Sequence, residues 1–502
     1  MSTARRAEVE AGRFSASRER FATVLAFLDG AEAAAASHAE LEDRLQVESR
    51  ELFRQLYQDH LDLRAVREHR VAVVGADGVA RSRVETGHTR ALTTVFGTVD
   101  VARTAYRAPR RANLHPADAA LNLPSERHSH GLRRLAAVET TRGSFDDVVE
   151  AVERTTGQQV GKRQLEGLAG RAAIDVEAFY AERKPPPGAS EDLLVLSCDG
   201  KGIVMRPDAL RPATAAAAAK TTPKLATRLS KGEKRNRKRM AEVGTVYDAA
   251  PAVRTPADIL PTADDEREPA PGPVTKNKWL LASVVEDAAS VVGQIFAEAQ
   301  RRDPTHARTW VALVDGNNHQ IDRIAAEARA REVPVAITID FIHVLEYVWK
   351  AAWCFFAEGD QAAEAWVHDK ARAVLAGRAT RVAGAIRRQA TTAGLEPARR
   401  AGADTCAGYL TKKAPHLDYP RALANGWPIA TGVIEGACRH LVKDRMDITG
   451  ARWGLAGAET ILKLRAVRSN GDFEKYWDYH LSQERRRVHQ SLYADNLVPQ
   501  AA

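Results

Sequence analysis

Hydrophobic positions recur along this chain in three rhythms. To about Arg70, Leu41, Leu45, Leu52, Leu56 and Leu63 return at spacings of four and seven, the repeat of one helix face. The stripe predicts a core-facing helix and covers too few heptads to prefer a coiled coil. Between Thr89 and Tyr106 the period drops to two. Val95, Val99 and Val101 alternate with polar residues around Gly97, which predicts a short β-hairpin. Arg90, Arg103, Arg107, Arg110 and Arg111 flank it; they suit either a solvated face or a ribbon touching phosphates. Helical spacing resumes at Ser144, a capping residue with Asp146 and Asp147 behind it, where the helix dipole favours acids. A helix from Phe145 to Arg154, a turn at Thr155-Thr156-Gly157 and a helix from Lys162 to Ala173 follow, with Leu165, Leu168 and Ala172 inward. The pair has a helix-turn-helix look. Lys162, Arg163 and Gln164 stand where a recognition helix meets DNA, and plain helical packing explains them equally well. Lys184-Pro185-Pro186-Pro187-Gly188 ends any helix and marks a domain boundary.

The third rhythm is the continuous apolar run. Leu193 to Leu196 reads as a strand leading to Asp199, and Gly200-Lys201-Gly202 reads as a tight turn into Ile203-Val204-Met205. Periodicity then stops from about 207 to 273, a stretch rich in Ala, Pro and charge. Strands resume at Trp279 to Val285, at Trp310 to Val314 (closed by Asp315-Gly316) and at Val335 to Ile339 (closed by Asp340). Helices are predicted between them, over Val291 to Arg301 and His319 to Arg331. From Phe341 to about Leu423 the pattern is helical, and Trp349, Trp353 and Trp366 fit core positions. The expected fold class is α/β: the order of strands and helices resembles an RNase H-like mixed sheet with helices on both faces and an all-α insertion, behind an α-rich N-terminal region with a β-hairpin. Expected domains are a helical region over 1–70 and a hairpin plus helix-turn-helix-like DNA-binding region over 71–183. The catalytic core follows over 190–350, with a basic insert at about 207–273. A helical insertion over 351–425 precedes a last core segment over 426–502.

Composition adds a direction. The chain has 502 residues, 44% hydrophobic and 27% charged, with a net charge of +8, which suits a multidomain globular protein with a polyanionic partner. Within the insert, Lys220, Lys224, Arg228, Lys231, Lys234, Arg235, Arg237, Lys238 and Arg239 face only Glu233. Such a run is suited to phosphate contacts or forms a solvated loop. Cys198, Cys354, Cys406 and Cys438 are scattered without a CxxC pair, against a structural zinc site or a disulfide framework. No signal peptide or membrane span is expected, so the expected location is cytoplasmic.

Two buried strands that each deliver a carboxylate, Asp199 and Asp315, are hard to explain as core, because an unpaired buried carboxylate is costly. Asp-Gly also makes simple turns after strands, so either dipeptide alone is weak. Together with a third acid, Glu435 in Thr431-Gly432-Val433-Ile434-Glu435-Gly436, they suggest a shared hard cation such as Mg²⁺. In an RNase H-like enzyme, two Mg²⁺ (or Mn²⁺) ions support in-line displacement at phosphorus. Asp199 would bridge the ions, Asp315 would bind one and Glu435 the other. Arg439, Lys443 and Arg445 suit a DNA-facing helix, and Trp453 fits either stacking on a flipped base or a core position. His343 lies three residues after Asp340; neither is expected to be a metal ligand.

Leu194 to Gly202 (LVLSCDGKG), Val311 to His319 (VALVDGNNH), Asp340 to His343 (DFIH), Thr431 to Arg445 (TGVIEGACRHLVKDR) and Thr449 to Trp453 resemble DDE transposases of bacterial insertion sequences, of the ISKra type. The Arg239 to Ile259 segment is similar to that family too. The resemblance covers most of the chain after about Leu92, and the Glu435 segment is its most specific part. It implies a metal-dependent transposase with Asp199, Asp315 and Glu435 as its triad, cleaving at terminal inverted repeats and joining the ends to target DNA, as a homodimer or larger assembly. More distant Mutator-like transposases carry a Cys-x-x-His pair after the second acid; here Asp340 stands in place of that Cys. Alternative readings are an RNase H-like nuclease or resolvase without strand transfer, and a DNA-binding derivative without catalysis.

Overall fold

The computed structural model describes residues 12–186, 188–220, 225, 236–262, 268–448 and 450–500. The chain forms two units, Met1–Ala181 with Asp472–Ala502, and Glu182–Gly471.

In the first unit, α1 (Ser15–Leu28) precedes the long α2 (His38–Arg67). Ser37 and Glu40 start α2 with a capping box. This is the helix that the leucine repeat predicts, but its core position is Leu61, which packs with Leu92, Val99 and Val101. The five leucines of the stripe are half-buried or exposed. The reason is tertiary: α2 lies against the hairpin, whose apolar face selects which side of the helix is covered. The hairpin pairs β1 (Arg83–Thr94) with β2 (Gly97–Arg107), with Leu92 opposite Val99 and Thr94 opposite Gly97. Its arginines have local partners. Arg103 pairs with Asp118 at 2.8 Å, Arg111 with Asp77 at 3.3 Å, and Arg107 with Glu85. The Arg90 guanidinium donates to the Glu126 carbonyl.

Three helices follow, α3 (His130–Thr140), α4 (Phe145–Thr156) and α5 (Lys162–Ala172). Ser144 and Asp147 form a capping box, and Gly157 closes α4 in the left-handed region at φ 68°, which glycine adopts without a Cβ clash. Leu132, Val148, Val152, Leu165 and Leu168 make the shared core, so the helix-turn-helix reading places its inward residues correctly.

Beside that core lies Arg133, 0% exposed. Its guanidinium donates to Glu484 at 2.7 Å, to His480 Nε2 at 2.9 Å and to Glu126. His480 Nδ1 meets Asp175 at 2.6 Å, and Arg487 forks onto the same carboxylate at 2.7 and 2.8 Å. The helix Phe473–Glu484 therefore belongs with the N-terminal residues, whereas the sequence placed it in the last segment of the catalytic core. Its anchoring ion pairs span more than 300 positions and leave no local pattern.

The second unit is built on a five-stranded mixed sheet of order β5-β4-β3-β6-β7. The strands are β3 (Leu193–Val204), β4 (Lys238–Ala250), β5 (Val274–Ser283), β6 (Trp310–Val314) and β7 (Val335–Ile339). β3 runs parallel to β6, and β6 to β7; β4 is antiparallel to both β3 and β5. Between strands come α6 (Ala288–Arg302) and α7 (Asn318–Ala330).

Two sequence expectations are corrected here. Gly200-Lys201-Gly202 is not a turn: β3 continues to Val204 and pairs with β4 along its whole length. The glycines make room for side chains across the ladder, since a Cβ on Gly200 would meet Met240 at 3.0 Å and one on Gly202 would meet Lys238 at 3.0 Å. The insert, in turn, does not run to 273. β4 lies inside that span, next to the middle of the sheet, and its Gly244 gives up a side chain because a Cβ there would meet Ile295 at 2.7 Å.

The helical insertion comprises α8 (Phe341–Ala352), α9 (Gln361–Leu375), α10 (Ala379–Thr392) and α11 (Pro397–Lys412). Trp366 is tied down by its indole N–H to Gln389 at 2.9 Å. Trp353, expected in the core, is 46% exposed and stacks on Trp349 at 5.1 Å. Among the described residues, no helix is long and apolar enough to cross a membrane.

Candidate active site

Ser197 of β3 is the register partner of Leu313 of β6. Two residues further along each parallel strand, Asp199 and Asp315 therefore arrive at one level. Their settings differ. β3 continues because β4 still pairs with it, whereas β6 ends at Val314 and the chain turns away through Gly316 at φ 92°. Each carboxylate takes a nearby backbone N–H: Gly200 donates to Asp199 Oδ1 at 2.7 Å, and Asn317 donates to Asp315 Oδ1 at 2.7 Å. Asn317 in turn caps α7 through His319 at 2.9 Å.

Glu435 sits on α12 (Gly432–Ala437), which packs on β3 and β4. The height of α12 is set from below by Asp340. This buried carboxylate accepts hydrogen bonds from Ile342 N at 2.9 Å, His343 Nδ1 at 3.1 Å and the Thr431 hydroxyl at 2.5 Å. Asp340 thus joins the end of β7, the start of α8 and the start of α12. It is a satisfied structural acid, as the sequence allowed, and it also fixes where the glutamate-bearing helix begins.

Partial burial pushes the Glu435 carboxyl above the ordinary range, and the charges of Asp199 and Asp340 push the same way against His343 and Lys201. For His343, burial pulls downward, but the hydrogen bond and charge of Asp340, together with Asp315 and Glu346, raise it overall. Asp199 thus acts on Glu435 directly, while Asp315 acts on His343, which in turn bears on Glu435. Burial, Asp199 and Glu435 also hold the Cys438 thiol far into its protonated form.

The helical insertion buttresses the second acid. Tyr409 of α11 stacks on Tyr347 of α8 with centroids 3.9 Å apart, and its hydroxyl donates to the Asp315 carbonyl at 3.3 Å. A Cβ on Gly316 would lie 2.5 Å from that hydroxyl oxygen. Gly316→Ala is accordingly expected to cost about 1–3 kcal/mol through backbone strain and this clash. It should also displace Asp315. Thermal melts of Gly316→Ala and of Gly316→Ala with Tyr409→Phe check this: the double variant should recover only the clash, and an unchanged melting point in the single variant contradicts the account.

The basic residues singled out by sequence have different fates. Arg163, Arg237, Lys238, Arg439 and Lys443 are exposed, while Lys234 and Arg235 fall outside the described residues. Lys162 is engaged by Asp146 at 2.7 Å, and Arg239 is fastened to the Val284 carbonyl at 2.7 Å. Arg445 is buried, so it does not share the exposed side of Arg439 and Lys443. The segment between them, Cys438–Lys443, is π-helical, which shifts the phase of residues beyond it relative to an α-helix. Trp453 is a core residue and not an open stacking platform: it is 7% exposed, its indole donates to the Met446 carbonyl at 3.0 Å, and the Arg445 guanidinium covers its ring at 4.9 Å. Two cations near the acids carried no assignment. Lys201 bears on Glu435, and Lys413, bonded to Asn318, bears on Asp315. Lys201 follows the Asp199-Gly200 pair directly; Lys413 has no sequence signal.

Asp199, Asp315 and Glu435 offer oxygen donors alone, the kind that hard cations such as Mg²⁺ or Mn²⁺ take. Among the described residues, no three His, Cys, Asp or Glu side chains are gathered closely enough to hold one ion. The backbone hydrogen bonds of Asp199 and Asp315 do not bar ligation, because a carboxylate offers about four lone-pair sites. The chain matches no protein-family model, and no curated protein matches it at a significant level. Fold and site together define a mixed α/β protein whose sheet brings two aspartates to one level beside a helix-borne glutamate.

Proposed function

We propose that this chain is a DDE transposase of an insertion sequence, with an RNase H-like core acting on double-stranded DNA. The observation that carries the reading is the common level of Asp199 and Asp315 on neighbouring parallel strands, with Glu435 on α12, which packs on β3 and β4. Asp199, Asp315 and Glu435 would hold Mg²⁺ or Mn²⁺, two ions in the full site. When bound, the metal supplies charge stabilisation at phosphorus and activation of the attacking hydroxyl. The chain's own residues position and neutralise. Lys201 and Lys413 set positive charge beside the acids, where phosphate oxygens carry negative charge. Arg439 and Lys443, exposed beyond Glu435, and Arg237 and Lys238 on β4's approach offer backbone contacts to the duplex.

The test is an assay on duplexes carrying the element's terminal inverted repeats, with Mg²⁺ and a target plasmid. Joined products at element ends support transposition through at least a dimer of the chain, which must hold two ends. Cleavage without joining supports the nuclease or resolvase instead. DNA binding should also weaken steeply with salt as counterions are released, by about 10³-fold between 50 and 200 mM for six or more phosphate contacts. A flat response in fluorescence anisotropy contradicts an interface built on these cations.

A further inference from the structure

We propose that Cys438 is a positioning residue for Asp199, its thiol holding one carboxylate oxygen so that β3 and the glutamate-bearing helix keep a fixed spacing; this rests on the metal-dependent reading of the same acids. Cys438 is 4% exposed and opens the π-helical segment. It follows Glu435 by three positions and so shares its helix face. Its Sγ–H donates to Asp199 Oδ2 at 3.3 Å, while Gly200 N–H donates to Oδ1 at 2.7 Å. One donor on each oxygen fixes the plane of the carboxylate and leaves lone pairs on both for another ligand.

The choice of partner separates this thiol from an ordinary buried cysteine. Cys354, also buried, donates locally, from the turn after α8 to the carbonyl of Lys350 at 3.6 Å. Cys438 instead reaches across to a charged acceptor on a strand that lies 239 positions away. The π-helical segment that starts at Cys438 is itself pinned. Arg465 of the helix Leu455–Ser469 donates to the Leu441 carbonyl at 3.0 Å and to the His440 carbonyl. The platform carrying the thiol is therefore held from its far side. A hydrogen bond to a charged group is worth more than a neutral one, and a preorganised carboxylate binds a cation without first losing its own rotational freedom.

The experiment measures Mn²⁺ binding to the full-length protein without DNA, by electron paramagnetic resonance of the free ion, alongside cleavage across a Mg²⁺ series. Cys438→Ala removes the donor; Cys438→Val removes it while filling the space; Cys438→Ser keeps a donor. Both donor-less variants should bind Mn²⁺ about three- to tenfold more weakly and need correspondingly more Mg²⁺, with the rate at saturating Mg²⁺ within about twofold of wild type. Cys438→Ser should return to within about twofold. Equal affinity in wild type, Ala and Val overturns the inference, as does recovery by Val alone, which would show packing and not the hydrogen bond to be the cause. Asp199→Asn separates the layers. If wild type holds no Mn²⁺ that this change removes, the metal-site reading falls and the role of Cys438 falls with it. If Asp199→Asn does remove Mn²⁺ while the cysteine series is flat, only the role of Cys438 falls.

Discussion

Asp315→Asn should reduce DNA cleavage by about 10³-fold or more while leaving duplex binding within about twofold. The argument starts from what Asn retains. Its side-chain oxygen still accepts from the Asn317 amide, the bond that Asp315 Oδ1 makes at 2.7 Å, so the turn into α7 and the Gly316 backbone persist. Tyr409 still meets the backbone carbonyl at position 315, which the substitution leaves in place. What disappears is one negative charge in a site proposed to work by concentrating negative charge around a hard cation. Because the fold is spared, loss of cleavage at unchanged binding isolates the chemistry. The checks are single-turnover cleavage on labelled element ends, anisotropy for binding and a thermal melt for integrity. Asp199→Asn and Glu435→Gln should behave alike, since the proposed site uses the three acids as one unit. Cleavage at the wild-type rate in Asp315→Asn would remove this residue from the site.

The second large effect is expected far from any chemistry. Arg133→Met should destabilise the first unit by about 3–5 kcal/mol, read as a shift of the denaturant midpoint. Methionine matches much of the stem volume, so the loss is electrostatic: the half-buried Glu126 would keep only Arg171, at 2.8 Å, and the buried Glu484 only Arg487, at 2.8 Å. The pH dependence follows. For Asp175, burial pulls upward, but Arg487 and His480 overcome it and hold the carboxyl down to about 2 from 3.8. Glu126 and Glu484 likewise lie below the ordinary value against the pull of burial, through Arg133 joined by Arg171 for Glu126 and by Arg487 for Glu484. A carboxylate lowered in the folded state contributes stability at neutral pH that disappears as acid protonates it. For Asp175 that window runs from about pH 4 down to about pH 2. In Arg133→Met, the two glutamates are held down less strongly, so the melting temperature should fall less steeply below pH 5 than in wild type. An identical acid slope would show that Arg133 does not hold these carboxylates down.

Which parts of the fold were legible follows from where each signal resides. β6 and β7 are found to the residue, Trp310–Val314 and Val335–Ile339, because fully buried β6 is an unbroken apolar run and edge strand β7 is short and rich in β-branched residues. α4 is marked by its own cap at Ser144 and its glycine stop at Gly157. β4 was hidden because Gly244 sits in its middle and lysine and arginine at its start, and only the pairing with β3 and β5 makes it a strand. β3 was cut short because Gly200 and Gly202 look like a turn until the side chains opposite them are known. At the site, the shared level of Asp199 and Asp315 could be anticipated from two strands of like pattern. The contributions of Tyr409, Lys413 and Cys438 could not: each reaches the acids from a distant segment, and proximity of that kind has no local periodicity. Trp453 and Arg445 show the converse limit, since an aromatic beside a cation reads alike as core and as a nucleic-acid contact until burial is known.

The return of Phe473–Glu484 to the N-terminal unit has a consequence for the growing chain. Arg133 leaves the ribosome early, but Glu484 and His480 are made only after all of Glu182–Gly471. At ordinary elongation speeds that delay lasts tens of seconds, during which a guanidinium destined for complete burial has only Glu126 to pair with. The sheet-bearing unit can therefore fold while the first is still incomplete. A premature stop after Gly471 would spare the sheet and leave the N-terminal region the target of proteases.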